Sequence, residues 1–364
     1  MAAGILGRGT PRRYTAFGVA AELRPRRCGI LPQPRVVRVA GVPDQSPRVA
    51  IAVVTYNRPE FLAELLRSAT RLTSPPWRVV VIDNASDEAT SEVLSEAAAW
   101  FEPGVLVTRR LPTNTGGAGG FCEGTRLALE LGADWVWLMD DDVEILPEAL
   151  DRFAPWMERF RVIHGRRYDF DGSPFYWQAK FNEFLGVPLP YGVSRTFNDE
   201  GYAITNSGTF EGMLVHADIV RTIGLPDPRF FITWDDAAYA WLAAQHTQVV
   251  YVDAYVLRRK REQRQVNLGL RHLNDGSPLF RFHVMRNRAY VGKYFALHGK
   301  LHRFGFGLGT ALTFAKEIFR LIVVQRTLRG LGDLVRGFRE NRRLWGDDTW
   351  RPMDPAEVPP ALPR

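Results

Sequence analysis

The first half of the chain alternates short apolar runs with helical patterns, and this alternation constrains its fold more than any other feature. The apolar runs are Val49–Val54, Val79–Ile82, Val105–Thr108 and Trp135–Met139. Continuous apolar, β-branched runs are typical of parallel strands that are buried on both faces. Helical patterns at 57–66, 89–101 and 121–130 separate these runs. The order β-α-β-α-β-α-β predicts an α/β, Rossmann-like fold, with a mostly parallel sheet covered by helices on both faces.

Polar motifs follow each of the four predicted strands. They are Thr55-Tyr56-Asn57-Arg58, Asp83-Asn84, Asn114-Thr115-Gly116-Gly117 and Asp140-Asp141-Asp142. Ligands of open α/β sheets bind outside the carboxyl ends of the strands. Each motif alone is weak, but their convergence on one edge of the sheet predicts a binding site there.

The acidic triplet suggests what that site holds. Because side chains alternate along a strand, Asp140 and Asp142 should point one way and Asp141 the other. Neighbouring carboxylates raise each other's pKa unless a cation lies between them. Carboxylates together with substrate phosphates are the usual ligands of Mg²⁺ or Mn²⁺. We therefore predict a metal–diphosphate site at Asp140 and Asp142, and the alternative is a solvated acidic turn.

A second acid pair, Asp235-Asp236, precedes a predicted helix at Ala237–Ala244. The helix dipole favours acids at this position, and that is a sufficient structural reason for the pair. Apolar Phe230, Phe231 and Trp234 crowd the same segment. Apolar surroundings raise the pKa of a carboxyl group, as a general base requires.

Three of the strand-end motifs have competing interpretations. The glycines at 116–120 allow close approach of a ligand or of a helix, and they resemble a dinucleotide fingerprint. That fingerprint belongs after the first strand rather than the third, so a nicotinamide oxidoreductase is a weak alternative. Asp83 could instead form a helix-capping turn with Ser86 and Asp87, and Arg58 could be a surface arginine of a first helical turn.

Composition excludes several classes of protein. The chain has 364 residues, of which 46% are hydrophobic, and a formal net charge of +7. Its two cysteines, Cys28 and Cys122, give neither a disulfide framework nor zinc-ligand spacing and are expected in a reducing compartment. No secretory signal and no nucleic-acid-binding motif is recognised. The best membrane-span candidate, Phe304–Val324, is interrupted by charges.

We predict four regions along the chain. Residues 1–47 form an Arg/Pro-rich, partly disordered arm with at most a short strand near Val36–Val39, and residues 48–260 form the catalytic domain. Within the catalytic domain, residues 170–200 form a loop region that shapes a pocket. Residues 261–345 are helical, and residues 346–364 form a Pro-rich tail. Within the helical region, apolar and basic residues recur at helical spacing over Phe304–Phe338, which predicts association with an anionic membrane surface. The alternative is two ordinary helices that pack on the catalytic domain.

The ordered set of motifs resembles a known family. Val53-Val54-Thr55-Tyr56-Asn57-Arg58, Asp83-Asn84-Ala85-Ser86, Asn114-x-Gly-Gly-Ala-Gly-Gly-Phe121, Met139-Asp140-Asp141-Asp142-Val143 and Phe231-x-x-Trp234-Asp235-Asp236 follow one another. This set, from Val49 to Ala254, resembles the inverting GT-A glycosyltransferases of family 2. Within the family it looks most like the actinobacterial galactofuranosyltransferases that build cell-wall galactan.

The resemblance implies a role for each matched position. Thr55, Arg58, Asp83 and Asn114 would hold the nucleotide, with Gly116, Gly117 and Asp141 also binding substrate. Asp140 and Asp142 would hold the diphosphate and a divalent cation, Mn²⁺ or Mg²⁺. Asp236 would deprotonate the acceptor hydroxyl, while Asp235 and Trp234 would orient the acceptor sugar.

The same resemblance implies partners and a location. The donor would be UDP-galactofuranose, with dTDP-rhamnose as the runner-up, and the acceptor a glycan or lipid-linked glycan. The enzyme would be cytoplasmic and peripheral on the inner face of the cell membrane. No nucleic acid partner is expected, and a homo-oligomer is left open.

Two positions depart from the family pattern. Ala238 stands where the family often has Glu, and Val256–Lys260 lacks the metal-binding His that often follows the next strand. His272 and His283 are the nearest histidines. Arg258, Arg259 or Lys260 could stabilise the diphosphate directly. These departures leave a second hypothesis, a catalytically weak homologue that serves as a binding or scaffold subunit.

Overall fold

The computed structural model describes residues 46–175, 179–190, 197–262, 265–267, 272–274 and 277–362. Several sequence-based predictions lie partly or wholly outside these residues. The N-terminal arm is outside up to residue 45, including the short strand expected at 36–39. Parts of the predicted pocket loop, 176–178 and 191–196, are also outside.

Four parallel strands form the first half of the sheet, as predicted. The elements are β1 (Val49–Thr55), α1 (Pro59–Ala69), β2 (Arg78–Asp83), α2 (Glu88–Ala97), β3 (Leu106–Arg110), α3 (Gly116–Glu130) and β4 (Trp135–Asp140). Strand β1 lies between β2 and β4, and β3 pairs with β2. Each apolar run therefore forms a parallel strand, and β1, β2 and β4 are buried whereas β3, at the edge of the sheet, is partly exposed.

Helix α3 begins earlier than predicted, at Gly116 rather than Phe121. The glycines are poor helix formers, but they let the helix lie very close to the sheet. A Cβ atom on Gly120 would lie 2.3 Å from Cγ1 of Val54, and one on Gly124 would lie 3.4 Å from Cβ of Ala52. Tertiary packing therefore overrides local propensity along this segment.

The second half extends the same sheet with strands of both directions. The elements are β5 (Val143–Ile145), α4 (Ala149–Met157), β6 (Val162–Tyr168), β7 (Pro174–Phe175), β8 (Ala179–Asn182), β9 (Val187–Pro190), β10 (Tyr202–Thr205), β11 (Met213–His216), α5 (Ala217–Ile223), α6 (Asp235–Ala244) and β12 (Val249–Arg259). The order is β10-β12-β6-β11-β4-β1-β2-β3, with β5 on β12 and β7 on β6. Strand β11 runs antiparallel to both of its neighbours.

Strand β12 is much longer than the predicted Val249–Val252. Its register with β6 shifts twice, between residues 251 and 257, and its end then pairs with β5. Bulges of this kind bend a strand and re-aim its side chains. They bring Arg258 and Arg259 toward the end of β4, where the acidic triplet lies.

Alternation along β1 divides the core into two layers. Val49, Ile51 and Val53 pack with α1 and α4, whereas Ala50, Ala52 and Val54 pack with α3, α5 and α6. The helices thus cover both faces of the sheet, and the predicted fold class is confirmed.

The C-terminal helices start later than the sequence suggested. A short hairpin, β13 (Gln265–Asn267) with β14 (His272–Asn274), comes first. The helices are α7 (Pro278–Arg286), α8 (Arg288–Leu297), α9 (Arg303–Phe319), extended by a π-helical turn at Arg320–Val324, and α10 (Leu331–Trp345). They share a third apolar cluster with α6. Residues from Ser46 onward form one compact unit, so the domain boundary near residue 260 stays a prediction.

Candidate active site

The carboxyl ends of β1, β2 and β4 meet at one edge of the sheet. Thr55 on β1 pairs in register with Asp83 on β2, and Val54 pairs with Asp140 on β4. The strand-end motifs are therefore neighbours in space, as their positions in the sequence predicted. This edge, with the loops around it, is the candidate active site.

Asp141 is tied to the protein rather than to the open edge. Its carboxylate accepts a 2.7 Å hydrogen bond from the hydroxyl of Thr55 and lies 2.9 Å from Nη1 of Arg58. The side chain is only 2% exposed. Three residues predicted to bind substrate are thus bonded to one another, and Asp141 supports the loop, as strand alternation indicated.

Arg58 also reaches the third aspartate of the triplet. Its Nη1 lies 3.2 Å from Oδ2 of Asp142, and its side chain is 38% exposed. Burial lowers the pKa of Arg58, but the carboxylates of Asp141 and Asp142 outweigh burial and raise it above its usual value. Arg58 is therefore a permanent cation with part of its surface open to the cleft.

Asp140 has the electrostatic character of a cation ligand. Burial raises the pKa of its carboxyl group well above the usual value, and the carboxylates of Asp142 and Glu211 raise it further. A bound cation would relieve this repulsion. Asp140 and Asp142 thus offer oxygen ligands that suit Mg²⁺ or Mn²⁺ together with substrate phosphates.

A third protein ligand for such a cation is not evident. Within the described parts of the chain, no group of three His, Cys, Asp or Glu side chains is arranged to hold a metal ion. His283 stacks on Phe231, with ring centroids 4.9 Å apart, and burial lowers its pKa to about 4. The backbone of His272 lies in β14, and its side chain is outside the described residues.

Asp83 is buried and has two polar partners. Its Oδ2 lies 2.9 Å from Nη1 of Arg110, and its Oδ1 accepts a hydrogen bond from the backbone N–H of Ser86. The second contact is the capping turn that the sequence offered as an alternative. Arg110, which sequence reasoning missed, pairs in register with Asp83 and could have been found from the end of the third strand. A cavity of about 340 Å³ beside both residues is bounded by α2 and β3.

Asn84 and Asn114 shape the turn into α3. The amide of Asn84 donates to the carbonyl of Gly116 and accepts from the backbone N–H of Thr115, at 2.9 and 2.8 Å. Oδ1 of Asn114 accepts a 2.8 Å hydrogen bond from the backbone N–H of Gly116. Asn114 itself is exposed, so its predicted contact with a nucleotide remains sterically open.

The glycine turn touches the loop that carries the second acid pair. Gly116 has φ +73°, and a Cβ there would lie 2.1 Å from the carbonyl oxygen of Phe231. The backbone N–H of Ala118 donates to that same oxygen at 3.1 Å. Nothing lies within 3.8 Å of a Cβ placed on Gly117, whose nearest neighbour is Phe121 at 3.9 Å. Because Gly116 has no side chain, the backbone of the loop at Phe231 can lie directly against it.

The loop before Asp235 is strained and firmly held. Phe231, Thr233 and Trp234 all have positive φ values. Backbone strain of this kind persists only where the surroundings enforce it. Here Nδ2 of Asn287 donates to the carbonyls of Phe230, Ile232 and Thr233, at 2.8 to 2.9 Å. Sequence reasoning missed this asparagine, since nothing in its local pattern distinguishes it.

Trp234 is more buried than its predicted contact with an acceptor sugar suggests. It is 9% exposed, and its indole N–H donates to the carbonyl of Val284 at 2.9 Å. Trp234 precedes the first residue of α6. It therefore anchors the loop that presents Asp235 and Asp236.

Asp235 and Asp236 open helix α6, and both have raised pKa values. Burial and the Asp236 carboxylate raise the pKa of Asp235. Burial also raises the pKa of Asp236, against the backbone N–H of Ala237 and the guanidinium of Arg167, which lower it. The predicted direction of these pKa shifts is confirmed, because partial burial raises both pKa values more than the hydrogen bonds lower them.

Glu211, which sequence reasoning also missed, lies within electrostatic reach of both acidic groups. Its carboxylate raises the pKa values of both Asp140 and Asp236. Oε1 of Glu211 lies 3.0 Å from Nη1 of Arg167 and 3.2 Å from Nε of Arg259. No local sequence pattern marks this glutamate, because its neighbours come from distant strands.

The basic residues expected near the diphosphate are already paired with acids. Arg258 lies 3.7 Å from Glu144, and Lys260 lies 3.1 Å from Glu64. Arg259 binds Asp169 and Glu211. Their predicted direct contact with a diphosphate would require these pairs to open, and the same holds for Arg58, which is paired with Asp141 and Asp142.

The sequence model described as glycosyl transferase family 2 matches residues 50–220. Nearly half of the chain is thus similar to glycosyltransferase family 2. The match covers the segment from β1 into α5 and thus includes the strand-end motifs and Glu211. This match agrees with the predicted resemblance to family 2 glycosyltransferases.

Similar proteins include two mycobacterial galactofuranosyltransferases called GlfT1. The protein of Mycolicibacterium smegmatis is 31% identical over 199 residues, which cover 52% of this chain and 62% of that relative. The protein of Mycobacterium tuberculosis H37Rv is 28% identical over 317 residues, which cover 81% of this chain and 95% of that relative. The matched part thus spans less than two thirds of the first relative and nearly all of the second. The predicted similarity to actinobacterial galactofuranosyltransferases is confirmed.

Solved glycosyltransferase structures share the fold. The 1–349 fragment of S. aureus TarS matches with a TM-score of 0.51 and 17% identity, over 82% of each chain. GalNAc-T7, solved with UDP, GalNAc and Mn²⁺, matches with a TM-score of 0.51 and 11% identity, over 59% of this chain and 44% of that one. At these identities the likeness supports the GT-A fold alone.

Proposed function

We propose that this protein transfers a sugar with inversion from a nucleotide-diphosphate sugar to a hydroxyl of a glycan or glycolipid acceptor. The observation that carries the proposal is that the strand-end glycine turn contacts the loop before Asp235, where the backbone N–H of Ala118 donates to the carbonyl of Phe231 at 3.1 Å. In agreement with this contact, the Glu211 carboxylate raises the pKa values of both Asp140 and Asp236. The strand-end acids and the helix-start acids therefore share one cleft. Inverting transfer requires two such groups on opposite sides of a sugar.

Asp236 is the proposed general base. The acceptor oxygen forms a bond to the anomeric carbon while the bond from that carbon to the diphosphate oxygen breaks on the opposite face. The acceptor proton passes to the Asp236 carboxylate, and the bonding electrons leave with the diphosphate. A raised pKa suits this role, because a base near neutrality accepts a proton more readily than an ordinary aspartate does.

The opposite side of the cleft would receive the diphosphate. Arg58 presents a permanent positive charge there, and Asp140 with Asp142 would hold a divalent cation. When bound, that cation would supply positive charge that stabilises the departing diphosphate. Asp83 and Asn114, at the neighbouring strand ends, would bind the nucleotide, with Arg110 holding the Asp83 carboxylate in place.

UDP-galactofuranose is the proposed donor, because the similar mycobacterial proteins carry the name galactofuranosyltransferase. dTDP-rhamnose is the runner-up. A second candidate, a weak homologue that binds without transferring, rests on Ala238 and on the missing third metal ligand among the described residues.

Two measurements test the proposal together. Nucleotide diphosphates and nucleotide sugars, with and without Mn²⁺, are screened for a rise in melting temperature, since a ligand that binds only the folded state stabilises it. Transfer from UDP-galactofuranose is then compared between the wild type and Asp236→Ala. Nucleotide binding in both proteins with transfer only in the wild type supports the proposal. Full turnover by Asp236→Ala overturns the assignment of the base. Binding without transfer by the wild type favours the scaffold candidate.

The C-terminal helices contain the surface that we propose for membrane association. From residue 304 to 323, all exposed positions are apolar or glycine. They include Phe304, Leu312 and Ile322, which are 75%, 52% and 57% exposed. This α9 face (residues 304–323) is flanked by exposed arginines at positions 303, 326 and 329. An apolar face beside basic residues fits an anionic lipid surface.

Helix α10 plays a different part from α9, although both belong to the predicted amphipathic region. Leu334 and Leu344 are buried, and Nδ2 of Asn341 donates to the carbonyl of Met285 on α7. Its apolar face therefore packs on the protein, as the alternative for this region stated. No helix in the described ranges is long and apolar enough to cross a membrane.

A further inference from the structure

Glu211 lies in a turn beside the end of β4, the strand that leads into the acidic triplet. Met213 on β11 pairs with Leu138 on β4, and the backbone N–H of Gly212 donates to the carbonyl of Leu138 at 2.8 Å. Gly212 also turns the chain, because its φ is +102° and its N–H donates to the carbonyl of Phe210 at 2.7 Å. The backbone thus holds Glu211 near the carboxyl end of β4.

Two buried arginines form ion pairs with one oxygen of the Glu211 carboxylate. The side chains of Arg167 and Arg259 are 6% and 5% exposed, and both contact Oε1. Each guanidinium also lies near the ring of Phe175, at 5.1 and 4.4 Å from the centroid. Desolvated arginines lose side-chain freedom, so this clamp fixes the position of the carboxylate.

The other oxygen, Oε2, is open to solvent. Neither oxygen of the carboxylate forms a hydrogen bond with the described residues, but Oε1 is buried whereas Oε2 is not. The Glu211 side chain as a whole is 17% exposed. The two ion pairs therefore leave Oε2 able to accept a hydrogen bond from a ligand.

We propose that Glu211 binds the sugar being transferred, with Oε2 accepting a hydrogen bond from a hydroxyl of that sugar. The inference rests on the proposed function. A sugar between the diphosphate site and the base must pass beside this carboxylate, and a fixed charged acceptor discriminates strongly between hydroxyl arrangements. Glu211 is thus assigned to sugar recognition, Arg167 and Arg259 are its positioning residues, and Asp236 remains the base.

The test compares the affinities of UDP and UDP-galactofuranose for Glu211→Gln and for the wild type. The ratio of the two dissociation constants isolates the contribution of the sugar. We expect Glu211→Gln to reduce this ratio by on the order of tenfold or more, since hydrogen bonds to charged groups contribute this much. Its affinity for UDP should remain within about threefold of the wild type, a margin well below one such hydrogen bond. A ratio unchanged from the wild type overturns the proposal.

Two further variants keep the test decisive. Glu144→Gln removes a carboxylate that also bridges basic residues, Arg258 and Lys260, and should leave the ratio unchanged. If Glu211→Gln fails to fold, Glu211→Asp retains the charge but withdraws the carboxylate by one methylene group, and it should lower the ratio in the same way. Parallel losses of UDP and UDP-galactofuranose affinity in Glu211→Asp would indicate a structural role and overturn the proposal.

The outcome is separable from failure of the proposed function. If the wild type does not bind UDP-galactofuranose, the proposed donor is wrong, and the ratio is measured with dTDP and dTDP-rhamnose. If the wild type binds UDP-galactofuranose more tightly than UDP and Glu211→Gln preserves that preference, only the role of Glu211 is refuted.

Discussion

Nη1 of Arg58 lies 2.9 Å from Oδ1 of Asp141, so the protein neutralises the middle carboxylate of its acidic triplet with its own cation. Asp141 is buried, and the second contact of its carboxylate is the hydroxyl of Thr55. The triplet therefore contains two kinds of acid. Asp141 closes the loop, whereas Asp142 shares Arg58 and is 17% exposed, and we propose that Asp142 and Asp140 bind the diphosphate and its cation.

Removing this cation should affect both stability and donor binding. In Arg58→Ala, Asp141 loses its charged partner while remaining buried, which should lower the free energy of unfolding by roughly 1–3 kcal/mol. Affinity for UDP should also fall, since a positive charge beside the diphosphate is lost. Thermal unfolding and calorimetric titration measure the two effects. Arg71→Ala is the matched control, because Arg71 pairs with Glu144 at an exposed site and should change stability by less than about 1 kcal/mol. Equal melting temperatures of Arg58→Ala and Arg71→Ala would contradict the role of the pair.

The raised pKa of Asp236 predicts opposite pH dependences for activity and stability. Turnover should decline on the acidic side at a higher pH than the ordinary aspartate pKa of about 4, because the base must be ionised. Between that value and the raised pKa, the folded state binds more protons than the unfolded state does. Stability should therefore fall as pH rises through this window.

The variant Asp236→Asn separates these two effects. It should lose transfer by on the order of 10²–10⁴-fold, the usual contribution of a general base. At pH values above the raised pKa of Asp236, Asp236→Asn should also be more stable than the wild type. At pH 4 this difference in stability should be smaller. Thermal unfolding at both pH values checks this. A wild type that is more stable than Asp236→Asn at high pH would show that the Asp236 charge is not costly in the folded protein.

The glycine turn offers a test of how closely α3 approaches the acceptor loop. Gly116→Ala should destabilise the protein by roughly 1–3 kcal/mol, because φ is +73° and the new Cβ would overlap the carbonyl of Phe231. Gly117→Ala has room for its Cβ and should be neutral or slightly stabilising in a helix. Chemical denaturation of both variants gives the comparison. Similar losses of stability in the two variants would mean that the close contact between Gly116 and Phe231 does not limit which residue can occupy position 116.

The α9 face can be tested by vesicle sedimentation. Replacing Leu308 and Leu312 with Glu should reduce binding to anionic vesicles at low salt by at least about tenfold, since each buried leucine contributes roughly 1.5–3 kcal/mol. Ile204→Glu is the control, because Ile204 is also half exposed but lies on strand β10. No binding of the wild type to anionic vesicles would rule out the membrane proposal. Equal binding by the wild type and the leucine variant would show that a surface other than the α9 face binds the vesicles.

Much of the fold was predictable because its signals are local. Continuous apolar runs identified four strands within one or two residues, and the glycine and aspartate motifs identified the strand ends. The start of α3 was wrong, since its glycines favour a loop locally while contacts with Val54 and Ala52 favour a helix. Most of β12 was missed, because its continuation depends on pairing with β5 and β6.

The sequence by itself determined the chemistry of the site, since each strand-end motif carries its own functional groups to one edge of the sheet. Tertiary structure alone decided which groups remain available. It closed Asp141 with Thr55 and Arg58, and it paired Glu211 with Arg167 and Arg259. It also buried the apolar face of α10 while leaving that of α9 open. The physical reason is that pairing of charges and burial of apolar surface depend on neighbours from distant parts of the chain, and periodicity along the sequence carries no information about them.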